Sequence, residues 1–440
     1  MTQTPPAAII LAAGLGTRMN SATPKHLHPL LGRRLADWVI EAVRALRPEP
    51  LVVVTSPDAR EAFKGETVAV QQEPRGTGDA TAAARASLEG FKGDVLVVTG
   101  DAATITSELL AALLETHRSA GAAATVLSLE PADPGAYGRI IRDSGGSLQA
   151  IVEARDASEE ELAIREVNSS IYVFEASKLW PALERLTPQN AQGELYLTDT
   201  VRDLVAAGEP VAVHKAQDPA EAEGVNTRAE LAAAAAVLRD RINVGHMLAG
   251  ATIVDPTTTW IDPTVELEPD CTIQPFTVLR GGTRVARGAD VGPHVVAVDA
   301  QIGSGTLVGP FCYLRPGTVL GPRAKAGAFV EIKKSTIGQD TKVPHLSYIG
   351  DAEIGEGTNI GAGSITANFP HRPGQPKGKT TIGSNVRVAV DTMFVAPVTV
   401  GDDAWTAAGT VVTDDVPDNT LAGFPPRQVN KEGRGGKRDD

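Results

Sequence analysis

Residues 302–332 read IGSGTLVGPFCYLRPGTVLGPRAKAGAFVEI. An apolar side chain returns at every sixth position, Ile302, Val308, Leu314, Leu320, Ala326 and Ile332, often with glycine directly behind it. A period of six is neither the 3.6 of a helix nor the 2 of an ordinary strand. It is the period of a hexapeptide β-helix, in which short strands coil and stack and one side chain per hexad fills the axis. Ile337, Val343 and Ile349 continue the series, followed by Ile354 and Ile360. Ile382, Val388, Phe394, Val400, Thr406 and Val412 carry it on, and Ile273, Leu279, Val285, Val291 and Ala297 form a weaker copy upstream. The glycines behind the apolar positions, Gly303, Gly309 and Gly321 among them, are expected to adopt corner conformations that other side chains disfavour.

The rest of the 440-residue chain reads differently, and its length favours two domains over one. Over residues 1–227, strand-like apolar runs at 7–11, 51–55, 95–99 and 123–129 alternate with helical stretches at 35–46, 80–88 and 109–120. That alternation predicts an α/β domain with a mostly parallel, doubly wound sheet, whose ligands bind beyond the carboxyl ends of the strands. Residues 228–250, with five consecutive alanines at 232–236, predict a helical linker. The coil then occupies 251–440 with its tail, and the Pro- and Gly-rich stretch 367–380 predicts a loop thrown out from it.

Composition excludes several classes of function. A net charge of −13 argues against a broad nucleic-acid surface, which needs clustered Lys and Arg. The basic run at 431–438 reads as a solvated terminus. Cys271 and Cys312 make neither a metal spacing nor a disulfide framework. The apolar run 7–13 lacks the flanks of a signal peptide, and no segment is long enough to span a bilayer. A cytoplasmic location is the expectation.

The first strand runs into Leu11-Ala12-Ala13-Gly14-Leu15-Gly16-Thr17-Arg18, with Pro24-Lys25 soon after. Small residues after a strand let the backbone approach a phosphate, and successive N–H groups form an anion nest. Arg18 and Lys25 supply neutralising charge. This opening resembles that of the sugar-nucleotidyltransferase family. With the coil behind it, nearly the whole chain, residues 7–430, resembles the bifunctional bacterial family joining N-acetylglucosamine-1-phosphate uridylyltransferase to glucosamine-1-phosphate acetyltransferase. Matching segments include Gln71 with Gly76-Thr77-Gly78, Gly100-Asp101, Tyr137-Gly138-Arg139-Ile140, Glu153, Val167-Asn168 and Glu223-Gly224-Val225-Asn226. The resemblance implies that Leu11, Ala12, Ala13, Gly14, Gln71, Gly76 and Thr77 hold the uridine of UTP. It implies that Arg18 and Lys25 hold the triphosphate, that Asp101 and Asn226 ligate Mg²⁺, and that Gly138, Glu153 and Asn168 hold the acetylated sugar. Because the attacking sugar phosphate is already anionic, positioning and charge neutralisation suffice for this step. The bland readings are that Asp101 caps the next helix, that Glu153 and Asn168 are turn residues, and that Arg18 and Lys25 are surface charges.

On the coil, Leu314-Arg315-Pro316-Gly317, Phe329 to Lys334, His345 to Gly355 and Asn359-Ile360-Gly361-Ala362-Gly363 match the acetyltransferase half of the same family. The family's fold is a left-handed β-helix. The resemblance implies that Arg315, Lys333, Tyr348 and Asn359 grip glucosamine 1-phosphate and that His345 is the general base. Acetyl-coenzyme A, the acetyl donor, would be met by Ala362, Asn368, Phe369, Ala408 and Arg427, and the assembly would be a homotrimer. A histidine suits removal of a proton from the attacking amine, although a lone histidine is more often a satisfied corner residue. The chain departs from the family pattern at Leu15, Ala102-Ala103-Thr104, Ser170, Pro370 and Val390, where lysine, Val-Pro-Leu, glycine, a different loop and serine are usual. A nucleotidyltransferase for another sugar 1-phosphate, with a purely structural coil, is the alternative these departures suggest.

Overall fold

The computed structural model describes residues 4–370, 374–423 and 430. The chain divides into two compact units, Met1–Leu238 and Arg239–Asp440. Arg427, the run 431–438 and His371 lie outside the described residues.

The first unit is built on β1 (Ala7–Ala12), β2 (Leu51–Thr55), β3 (Thr67–Val70), β4 (Asp94–Thr99), β5 (Ala124–Leu129), β6 (Arg139–Arg142), β7 (Leu148–Val152), β8 (Val167–Glu175) and β9 (Val211–Lys215). One sheet carries them in the order β9-β5-β8-β4-β1-β2-β3, with the β6–β7 hairpin attached to β8. β1 pairs in parallel with β2 and β4, whereas β8 is antiparallel to β4 and β5. Every residue of β1 is buried: Ala7, Ile9 and Leu11 join one core cluster, and Ala8, Ile10 and Ala12 join another. Helices Leu35–Arg44 and Ser107–Ala120 pack into the second cluster, and Thr77–Ala83, Ala176–Glu184 and Leu197–Ala206 into the first. With both faces covered, a strand has no reason to alternate, so the apolar runs are unbroken. The helix expected at 80–88 begins earlier, behind Gly76, and closes as a 3-10 turn over Arg85–Leu88.

The helix Arg228–Leu248 starts with a capping box. Glu230 N–H donates to Thr227 Oγ1 (3.2 Å), and the Glu230 carboxylate accepts from Thr227 N (2.8 Å) and Asn226 N (2.6 Å). The cap thereby fixes the backbone of Asn226. Among the described residues no helix is long and apolar enough to cross a membrane.

The second unit is a left-handed parallel β-helix whose short strands stack into sheets of six, nine and eight strands. Stacked partners lie 17 or 18 positions apart, as in Thr272 with Asp290, Leu307 with Lys325 and Lys325 with Lys342. Ile302, Val308, Leu314, Leu320, Ala326 and Ile332 are each at most 2% exposed, as the period of six demands. Burying each larger aliphatic chain contributes roughly 1.5–3 kcal/mol. Cys271 and Cys312 are buried free thiols, pushed up to about 11 by burial.

The glycines correct one expectation. Gly309 does take a left-handed backbone, with φ of 114°. Gly321 does not; instead a Cβ there would lie 2.8 Å from the backbone nitrogen of Gln339 on the next coil. At Gly303, Gly338 and Gly355 the backbone of the next coil is as close, so these glycines serve stacking rather than turning. Several corners are left-handed at ordinary residues, including Phe276, His294, Phe311 and Phe329 (φ 59°, 55°, 56° and 58°). Their rings stack with centroids 4.7, 4.8 and 5.1 Å apart, which offsets the cost of that conformation. The loop near 367–380 is present: Glu353 pairs with Thr381, 28 positions on.

Candidate active sites

In the first unit the chain leaves β1 at the carboxyl edge of the sheet and turns through Gly16, whose φ is 62° and whose Cβ would overlap the Lys25 side chain. Pro24 then starts a 3-10 turn that buries Lys25. The Lys25 ammonium forms an ion pair with Asp101 and donates to Asn226 Oδ1 (3.0 Å). Arg18 donates to the same oxygen (3.0 Å), and Thr99 Oγ1 donates to Asp101 Oδ1 (2.6 Å). Burial would raise the Asp101 pKa, but the charge of Lys25, with the hydrogen bonds from Lys25 and Thr99, outweighs it and holds the carboxyl below its ordinary range. Asp101 is not a cap, because Thr106 caps the helix that follows.

Two cavities meet at this cluster. The first, of about 520 Å³, is lined by Leu11, Ala13, Gly14, Leu15, Arg18, Lys25, Gln71, Gly76 and Thr77 among others. Gln71 Nε2 donates to Gly76 O (3.0 Å) and to Asp79 Oδ2 (2.9 Å), so its carbonyl oxygen remains as an acceptor. Thr77 Oγ1 accepts from Leu197 N (3.0 Å), which ties this rim to the next helix. The Ala12 side chain points away into the core. The second cavity, of about 480 Å³, takes Tyr137, Gly138, Asn168, Glu223 and Gly224. Arg18, Thr99, Asp101, Glu153, Ser170 and Asn226 line both. Glu153 accepts from Thr198 Oγ1 (3.1 Å), and burial raises its pKa. Asn168, 2% exposed, donates to the Tyr172 hydroxyl (2.7 Å) and accepts from Ser170 N (3.1 Å).

Several lining residues escaped the sequence reading. His26 lies beneath the loop, its ring 3.8 Å from where a Gly14 Cβ would stand, with its pKa lowered to about 4 chiefly by burial. It is a neutral spacer at neutral pH. Its only sequence signal was adjacency to Lys25. Gln192, Tyr196 and Thr198 come from a polar segment with no motif. Of the departures, Leu15 is 66% exposed at the first cavity, whereas Ala102, Ala103 and Thr104 are buried and belong to the interior.

On the coil, Arg315 and Lys333 follow one another on one face, and Lys333 pairs with Gly350. A side chain at Gly350 would strike the Tyr348 phenol and stand 2.8 Å from Asn368 Nδ2, so glycine makes room for both. The Lys333 and Lys377 ammonium groups oppose each other and, with Arg315 nearby, lower the Lys333 pKa. Crowded cations of this kind favour an anion between them. Arg315 is braced by Glu331 (2.8 Å), and Asn368 by Asp351. Phe369 is 73% exposed, with Lys377 Nζ 5.8 Å from its ring centre. Asn359 stands apart, on the face shared with Lys342 and Arg387.

His345 ends a strand at an exposed corner and pairs with Ala328. Ala362, Val390 and Ala408 hold the equivalent place on later coils, each just before a left-handed Gly363, Asp391 or Gly409. Backbone bonds confirm the stacking: Leu346 N to Ala328 O (2.9 Å), Asp391 N to Ala362 O (2.8 Å) and Gly409 N to Val390 O (3.0 Å). One corner edge thus carries the histidine and two residues expected to meet the acetyl donor. Asn368 and Phe369 lie instead with the cations of the adjoining face.

Comparison with known proteins covers both units. Residues 8–220 match the family described as MobA-like NTP transferase domain. The chain is 47% identical to the bifunctional protein GlmU of Streptomyces coelicolor, over 98% of this chain and 94% of that protein. It is 48% identical to the bifunctional protein GlmU of Kineococcus radiotolerans (98% and 91%) and 47% identical to that of Mycolicibacterium gilvum (97% and 91%).

Proposed function

The chain belongs to the bifunctional GlmU family, makes UDP-N-acetylglucosamine by two transfers, and, we propose, divides them between the cavities of its sheet domain and the corner of its coil. The observation that carries the first assignment is the seam between the two cavities, where Arg18, Lys25, Asp101 and Asn226 converge. UTP enters the first cavity and N-acetylglucosamine 1-phosphate the second. A phosphate oxygen of the sugar attacks the α-phosphorus, the bond to the bridging oxygen breaks, and pyrophosphate leaves. Arg18 and Lys25 neutralise the charge that builds up on the phosphates.

The oxygens of Asp101 and Asn226 both face one cation, the Lys25 ammonium, in this structure. Two protein oxygens completed by phosphates and water suit Mg²⁺. Bound there, Mg²⁺ would supply further neutralisation of the triphosphate. Glu153, Asn168 and Gly138 hold the sugar, with Glu153 kept in place by Thr198.

On the coil, Arg315, Lys333 and Lys377 take the phosphate of glucosamine 1-phosphate, with Tyr348 beside them. Acetyl-coenzyme A lies along the edge of Ala362, Val390 and Ala408. The amine nitrogen attacks the thioester carbonyl, His345 takes the amine proton, and the carbon–sulfur bond breaks to release coenzyme A. The position of Asn359 on another face supports a homotrimer, in which a neighbouring coil supplies it. We place the enzyme in the cytoplasm, in keeping with its nucleotide substrates and two free buried thiols.

The test is a pair of assays on the full chain. Coenzyme A should be released from acetyl-coenzyme A only when glucosamine 1-phosphate is present, without UTP. Pyrophosphate should be released from UTP only with N-acetylglucosamine 1-phosphate and Mg²⁺. Failure of the first alone would leave a nucleotidyltransferase carrying a structural coil.

A further inference from the structure

Ser170 is a non-glycine residue in the left-handed backbone region, with φ of 62°. That conformation is costly for an L-residue and free for glycine. In the first unit it is shared only with Asn20, Leu31 and Arg47 among the described non-glycine residues, and none of those three lines either cavity. Ser170 lines both. It sits within a register shift of β8 between Asn168 and Tyr172, and its neighbours hold it there. Asn168 Oδ1 accepts from Ser170 N (3.1 Å), while Ser169 Oγ donates to Leu127 O (2.7 Å) and accepts from Ile171 N (3.2 Å). The surrounding structure therefore imposes the strained geometry. Strained residues of this kind cluster at functional sites.

What serine adds over glycine is a Cβ carrying one hydroxyl. A hydroxyl donates once and accepts twice. Ser170 is half-buried at the join of the chambers, and its Oγ brings two acceptor lone pairs there. A donor on a ligand in the second chamber, beside Asn168 and Glu153, is placed to use it.

We propose that Ser170 is a specificity-determining residue of the uridylyl transfer, its Oγ accepting a hydrogen bond from a hydroxyl or amide N–H of the bound sugar 1-phosphate. This rests on the assignment of the second cavity to the sugar. Two variants separate the hydroxyl from the backbone: S170A keeps the strain and loses the oxygen, and S170G loses both.

The measurement is the KM for N-acetylglucosamine 1-phosphate and for UTP in the full-length enzyme, with thermal midpoints alongside. One lost hydrogen bond should raise the sugar-phosphate KM about 5- to 10-fold in both variants, with the UTP KM within about two-fold. S170G should also melt higher than S170A. An unchanged sugar-phosphate KM in both variants would overturn the role of Ser170, and so would equal rises in both KM values. Absence of pyrophosphate release by the unaltered enzyme would instead overturn the sugar assignment beneath it.

Discussion

Lys25 and Asp101 share a buried ion pair. A buried pair seldom outweighs the cost of desolvating its charges. Here the carboxylate is bonded by Thr99 and the ammonium by Asn226, so both charged groups are held in place. Buried histidines tell a simpler story. His117, far along the sheet, is 3% exposed, bonded to Thr125 Oγ1 (2.9 Å), and has its pKa lowered by burial. Asp94 and Glu175 facing it pull upward and Arg118 pulls downward. A folded pKa below the unfolded one means the folded state binds fewer protons, so stability falls as pH drops below about 6.5. H117Q, which keeps a hydrogen-bonding side chain and cannot titrate, should lose less thermal stability between pH 7 and pH 5 than the unaltered protein. Equal losses would show that other groups govern the acid limb. Such roles were only partly legible beforehand. Lys25, Asp101 and Asn226 could be marked from motifs. His26, Thr198 and Ser170 acquire meaning only from what lies across the cavity from them.

At the scale of elements, the coil is governed by the distance between stacked strands. Neighbouring strands lie about 4.8 Å apart, which leaves no space for a Cβ pointing along the stack. Gly321 marks such a point, facing Gln339 N at 2.8 Å from its absent Cβ. G321A should destabilise the second unit by about 1–3 kcal/mol, the usual cost of overpacking. G245A is the control. Gly245 lies inside the helix Arg228–Leu248 with nothing within 4 Å of its Cβ position. Exchanging it should be neutral or stabilise by up to about 1 kcal/mol. Chemical denaturation of both variants decides the matter, and a neutral G321A would show that the stack yields to a side chain at that position. The period of six was visible in the sequence because each inward position needs an apolar side chain. The reason for the glycines was not, because the atoms that exclude a side chain belong to another coil.

At the scale of the molecule, the proposed division gives each unit of the chain one chemistry, with the first product serving as the second substrate. Arg18 and His345 are both exposed, so replacing either should leave its unit folded. R18A should acetylate and fail to uridylylate, and H345A should do the reverse. Mixed in solution with glucosamine 1-phosphate, acetyl-coenzyme A and UTP, the two variants should restore UDP-N-acetylglucosamine formation through free N-acetylglucosamine 1-phosphate. Each alone should give none. Chromatographic detection of the nucleotide sugar reads the result; an inactive mixture of two singly competent variants would mean that the intermediate does not pass through solution.

Hexad period, unbroken apolar strands and the small residues after the first strand were legible in the sequence alone, because each reflects a repeated local demand for burial or backbone approach. The fold class follows from those demands. Only the tertiary structure decided that two cavities join at Asp101, that Ser170 is strained at their seam, and that His345 shares an edge with Ala362 and Ala408. These relations link residues far apart along the chain, and spacing carries no record of which segments a fold brings face to face.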